Sequence, residues 1–168
     1  MTKTESKAKQ PYWIPKRVAR MAIFIALSAV GAIIKIPSPT GTVALDSLPG
    51  YFSAVAWGYL EGGIVIALGH LLTSATVGFP LSIPIHILIA VMMIVWASIF
   101  RWTTVKIHWI VGIVVATFFN GVVAPAVFIP MFGEGFFYAM VIPLVVASLV
   151  NIAIASVTYQ IVEKAGYV

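Results

Sequence analysis

Long apolar stretches alternate along this chain with short polar or turn-forming breaks. Stretches long enough for helices cover residues 15–36, a segment from about 47 to 60, then 62–76, 84–102, 107–132 and 135–163. Pro37 and Pro39 forbid continuation of the first helix, because proline has no N–H to donate and its ring clashes with the preceding turn. The run Pro37-Ser38-Pro39-Thr40-Gly41-Thr42 therefore reads as an extended, turn-rich connection. Asp46 or Ser47 is expected to cap the second helix, with Pro49 in its first turn, and Gly78 and Pro80 lie just beyond the end of the third. The second and third helices are short for a hydrocarbon core about 30 Å thick, which predicts a tight pair shielded by longer neighbours. Short, glycine-interrupted spans are also where transporters build their sites. The chain contains no internal repeat and no evident inverted repeat.

Composition turns these helices into membrane spans. Hydrophobic residues make up 61% of the 168 and charged residues only 9%, too apolar a chain to leave its surface in water. At roughly 20 residues per span, the length holds six transmembrane helices with short loops and no soluble catalytic domain. The expected class is an all-α integral membrane protein, with residues 1–14 as a tail and 15–168 as one six-helix domain. Charge then orients it. Lys3, Lys7, Lys9, Lys16, Arg17 and Arg20 lie ahead of the apolar run that begins at Met21, Arg101 and Lys106 fall at the junction of the fourth and fifth stretches, and Lys164 follows the last; only Lys35 breaks the pattern. Basic loops stay inside, so both termini are expected in the cytoplasm of a multi-pass plasma-membrane protein. The net charge of +5 follows from this topology and from anionic headgroups, and nucleic acid is excluded as a partner. Lys16, Arg17 and Arg20 before residues 21–32 also resemble a signal peptide, but five further spans favour a retained helix. The absence of cysteine removes disulfides, thiolate metal sites and cysteine nucleophiles.

Few residues can carry chemistry. Ala19, Ala22, Ala26 and Ala29 recur at helical spacing and form a smooth stripe, fit for internal packing or for close approach of another helix. Gly58, Gly62 and Gly69 read as structural. Lys35 and Asp46 flank the connection after the first helix, and ligand contact competes there with snorkelling and capping. His70 and Thr73 share one turn of the third helix, and His86 begins the fourth. Two histidines without an acid in register fall short of a zinc site. Asn120 and Asn151 sit mid-helix, where an unpaired amide is costly, so each bonds the other, a neighbouring helix or a substrate. Tyr51, Trp57, Phe132, Phe136, Phe137 and Tyr138 gather near helix ends, as interfacial belts or as stacking surfaces for a planar ligand, and Glu134 sits between Gly133 and Gly135 in a loop at the same mouth. No phosphate loop, no nucleophile elbow and no paired carboxylates on one helix face are present, so an enzyme has little to stand on.

With its length, six helices, the alanine run Ala22-Ile23-Phe24-Ile25-Ala26, the long first connection and the turn Trp57-Gly58-Tyr59-Leu60-Glu61-Gly62-Gly63 followed by Leu68-Gly69, the chain resembles the substrate-binding S-component of energy-coupling factor (ECF) vitamin transporters. The resemblance implies a six-helix bundle that binds its ligand under a lid. It implies docking through Ala22 and Ala26 on a transmembrane coupling subunit, and two cytoplasmic ATPase subunits that use ATP and Mg; the chain itself binds no cofactor and is not an enzyme. Residues 34–47 look like members associated with uptake of α-ribazole, the riboside of dimethylbenzimidazole used in cobalamin salvage. The physical side of the site is a small, flat, partly polar ligand contacted by Lys35, Asp46, Ser47, Tyr51, His86, Asn120 and Asn151 beneath residues 37–45. Riboflavin, pantothenate or a pyrimidine satisfies much of the same set. The competing class is an autonomous ion-coupled transporter with His70, His86, Asp46 and Glu61 as relay groups, against which stands the scarcity of deep charge.

Overall fold

A computed structural model describes residues 12–168, so most of the expected tail, including Lys3, Lys7 and Lys9, lies outside the described residues. The rest forms six helices: α1 (Pro15–Gly31), α2 (Leu48–Trp57), α3 (Tyr59–Thr76), α4 (Ile83–Lys106), α5 (Trp109–Val127) and α6 (Ile129–Lys164). Three of them, α4, α5 and α6, are long and apolar enough to cross a membrane. Their outer faces are apolar and exposed, as with Ile87 and Val91 on α4 and Ile142 and Leu149 on α6, which suits lipid contact. The α2 helix, at 10 residues, rises only about 15 Å and cannot cross alone.

Several boundaries differ from the sequence expectation. The α1 helix stops at Gly31, ahead of the two prolines, and the glycine lets the returning loop approach closely, since a side chain there would collide with the Leu45 carbonyl. Only Gly58 separates α2 from α3, at a φ of 132° that side-chain-bearing residues rarely adopt. Gly62 and Gly50 then bring the two helices into backbone contact at Ala54 and Ile66. The expected loop around Gly133 is instead a kink inside α6, with φ 78° and ψ 172° at that glycine. A π-helical turn over Phe119–Val123 interrupts α5.

Residues 32–47, between α1 and α2, fold into a flap. Ile36 donates to the Val43 carbonyl at 2.9 Å and Leu45 to the Ile34 carbonyl at 3.1 Å, a single antiparallel bridge centred on Lys35 and Ala44. The tip turns at Ser38–Gly41, where the Gly41 N–H donates back to the Ser38 carbonyl.

The core is built around Tyr51, Phe52, Ile66, Met93, Phe100 and Ile152. One end of the bundle is basic. Buried Glu61 accepts a 2.8 Å hydrogen bond from Tyr12 and faces Arg17 at 3.6 Å and Arg20 at 3.7 Å. Arg20 lies over the Trp57 ring, and Arg101 donates to the last carbonyls of α2 at Ala54 and Val55. These contacts pin the start of α1 to the α2–α3 turn, and α4 to the end of α2. The flap closes the opposite end.

Candidate functional site

At the flap end a cavity opens between the flap, α3, α4, α5 and α6. Thr40, Thr42, Val43 and Ala44 reach it from the flap, as do Asp46 and Ser47 from its last residues before α2. His70 comes from α3, Met93 from α4, Asn120 from α5 and Phe128 from the junction of α5 and α6. One face of α6 supplies Phe136, Met140, Leu144, Ala147, Ser148 and Asn151, at the spacing that keeps residues on one side of a helix. The lining is mainly apolar, contains one carboxyl and includes neither Lys nor Arg.

Asp46 is buried, and burial pushes its carboxyl up to about 6, against the opposing Thr73 hydroxyl and the charge of Lys35. The Thr73 hydroxyl also bonds the Gly69 carbonyl at 3.0 Å. Lys35 itself is exposed and forms no ion pair with Asp46 among the described residues. Neither Asp46 nor Ser47 caps α2 with its side chain. The Leu48 N–H is taken instead by Asn151 Oδ1 at 2.8 Å, while Asn151 Nδ2 donates to the Ala44 carbonyl at 3.0 Å and the Ala147 carbonyl at 2.9 Å. Asn151 thus faces the cavity but uses its amide to hold the flap.

Asn120 lies in the π-helical turn and donates to Ser148 Oγ at 2.8 Å. The two asparagines do not bond each other. Gly121 permits this contact, because a side chain there would strike the Val145 backbone on α6. Asn120 Oδ1 has no protein partner among the described residues and remains an acceptor toward the cavity.

Of the expected contact residues, Asp46, Ser47, Asn120 and Asn151 come together on the cavity wall. Lys35, Tyr51 and His86 do not line it. Tyr51 is fully buried in the core, edge-on to Phe100 at 5.4 Å, because α2 turns that face inward. His86 is fully buried behind His70, its Nδ1 lying 3.2 Å from His70 Nε2. Thr40 and Thr42 belong to the expected lid and Phe136 to the expected stacking aromatics; the residues missed are His70 as a wall group, Ser148 and the rest of the α6 stripe. Spacing along α6 could have revealed the last, since Met140, Leu144, Ala147 and Asn151 follow a helical period. Among the described residues no three of His, Asp and Glu converge as metal ligands.

The alanine stripe faces outward. Ala19, Ala22 and Ala26 are exposed on α1, whereas Met21 and Ser28 turn inward. Internal packing does not account for it.

No individual curated protein matches the chain. Residues 16–163 match the family profile described as "ECF transporter, substrate-specific component", which covers all but the ends of the chain and every helix that builds the cavity. By this match the chain belongs to the substrate-specific components of ECF transporters, membrane subunits that bind the substrate and work with an ECF module.

Proposed function

We propose that the cavity beneath the flap captures a small, flat, uncharged vitamin precursor, with α-ribazole as the ligand, and that residues 37–45 act as its lid. The observation that carries this reading is the chemistry of the wall. Phe128, Phe136, Met93 and Met140 suit a planar heterocycle, while Asp46, Ser47, Asn120 and the Thr40 and Thr42 hydroxyls suit the hydroxyls of a ribose. With neither Lys nor Arg on the wall, the carboxylate of pantothenate meets no counter-charge, and Asp46 repels it once ionised. Riboflavin and pyrimidines are neutral and are the rivals that matter.

The subunit acts in a six-span arrangement with both termini cytoplasmic, the basic end of the bundle facing inward and the flap outward. It captures without catalysis. ATP and Mg are used by two partner ATPases, and the coupling subunit approaches closely along Ala22 and Ala26, whose small, outward side chains permit it. An autonomous ion-coupled mechanism is less well supported, because Glu61, one of its relay groups, is tied to Arg17, Arg20 and Tyr12 at the far end from the cavity.

The test is mass spectrometry of ligand co-purified with the detergent-solubilised chain, followed by calorimetric titration with α-ribazole, riboflavin, a pyrimidine and pantothenate. Tight binding of α-ribazole and no heat with pantothenate is expected. Preference for riboflavin or a pyrimidine overturns the ligand and leaves the site; preference for pantothenate overturns the charge argument.

A further inference from the structure

Behind the cavity wall, Ser74, His70 and His86 form one hydrogen-bonded cluster. Ser74 Oγ donates to the His70 carbonyl at 2.9 Å and lies 2.9 Å from His86 Nδ1 and 3.4 Å from His70 Nε2. His86 Nδ1 is in turn 3.2 Å from His70 Nε2. A serine hydroxyl has a single hydrogen. With that hydrogen on the carbonyl, Ser74 Oγ can only accept from His86, so His86 carries its hydrogen on Nδ1. The other ring nitrogen of His86 agrees: Nε2 is buried without a partner, and a bare lone pair is tolerated there better than a stranded N–H. The same Nδ1–H faces His70 Nε2, which must therefore present a lone pair. The hydrogen of neutral His70 is left on Nδ1, which bonds no protein atom among the described residues, and His70 lies on the cavity wall.

We propose that His70 reads the ligand as a hydrogen-bond donor of fixed polarity, selecting a heterocycle that offers an in-plane acceptor such as a pyridine-type ring nitrogen. His86 and Ser74 are positioning residues that hold His70 in this tautomer. The inference rests on the cavity being the ligand site. The hydroxyls of Thr40, Thr42, Ser47 and Ser148 turn to suit either partner type, and Asp46 and Asn120 Oδ1 accept. His70 therefore adds what those groups lack, a donor whose direction is fixed by its ring and two buried neighbours. A ligand with C–H in place of the acceptor leaves that donor unpaired in an apolar pocket, which weakens binding by at least about tenfold.

Two measurements decide this. Long-range nitrogen–proton correlation spectra of the full chain, labelled with nitrogen-15 histidine in lipid nanodiscs, report the tautomer of each of its 3 histidines. His70 and His86 are both expected as Nδ1–H forms; an Nε2–H form at His70 overturns the proposal. Calorimetry then compares α-ribazole with the analogue in which its pyridine-type ring nitrogen is C–H. The parent is expected to discriminate by at least about tenfold and His70→Phe by less than about twofold, with His86→Gln and Ser74→Ala between them. Equal binding of the two compounds by the parent overturns the proposal while leaving the α-ribazole reading intact. If the parent binds neither compound, the substrate reading falls and the His70 tautomer alone decides.

Discussion

Asn151 Oδ1 accepts the Leu48 N–H at 2.8 Å, so a side chain of α6 caps the start of α2 across 103 residues of sequence. The same amide donates to the Ala44 carbonyl at 3.0 Å, which ties the flap's returning arm to the wall. Replacing Asn151 with Leu strands a helix-end N–H and a flap carbonyl in a buried place, at about 1–3 kcal/mol for each group. The expected outcome is lower unfolding stability and faster hydrogen exchange at Leu48, Ile36 and Leu45. Asn151→Asp keeps the acceptor for Leu48 and loses the donor to Ala44, so it should fall between. Unchanged exchange in the flap would show that Asn151 does not hold it.

The helices and their order are legible in the sequence because apolar length and prolines are local signals. The sequence also signals the α1 stripe, whose spacing by itself leaves open whether it packs inward; exposure of Ala22 and Ala26 in the fold closes that question. Long-range backbone partners leave no such trace. Asp46 and Ser47 look like caps by residue type, but the cap comes from Asn151, and the need for a glycine at Gly31 comes from the distant Leu45 carbonyl. Tyr51 and His86 illustrate the same limit. Both are polar residues beside the expected mouth, and only the rotation of α2 and α4 turns them into the core and leaves His70 on the wall.

Glu61 is a structural anchor. Its carboxylate is buried, but Arg17 and Arg20 remain partly exposed, so solvent screens their attraction and the cluster is worth less than a fully buried network. Glu61→Gln should lower stability by about 1–2 kcal/mol, with the N-terminal turn of α1 loosened, and leave ligand affinity within about twofold of the parent. Titration and thermal unfolding of the same preparation check both. A large loss of affinity, or loss of ion-driven uptake by the chain alone in liposomes, would return Glu61 to the role of a relay group.

Asp46 gives the site a pH dependence. Its carboxyl is raised to about 6 by burial, so it is ionised above that value and protonated below it. Ligand hydroxyls donate best to the ionised form. Affinity should therefore be full above pH 6 and fall as the pH drops through it, by up to about tenfold per unit. His70 on the wall, Lys35 outside it and the ligand's own basic nitrogen are common to the parent and to Asp46→Asn, so the difference between their profiles isolates Asp46. The sign reverses for folding without ligand. A carboxyl raised on folding favours the fold while it is protonated, and that contribution is lost as pH rises toward and through about 6. Asp46→Asn should accordingly raise the ligand-free Tm at pH 7 while weakening binding.

The exposed alanines predict a separation of binding from transport. Ala22 and Ala26 point away from the bundle, on the opposite side of α1 from Ser28, which packs against Gly69 on α3. A bulky side chain at either alanine disturbs no internal neighbour, yet it prevents another helix from approaching closely. Ala22→Trp combined with Ala26→Trp should abolish uptake in cells that supply the coupling subunit and ATPases. Affinity of the purified subunit for its co-purified ligand should stay within about twofold, since the flap and cavity walls are untouched. Val95→Trp, on an exposed apolar face of α4, controls for crowding against lipid and should transport normally. Parallel loss of binding in the alanine variant would mean that the stripe supports the fold, and unimpaired uptake would move the docking surface to another helix.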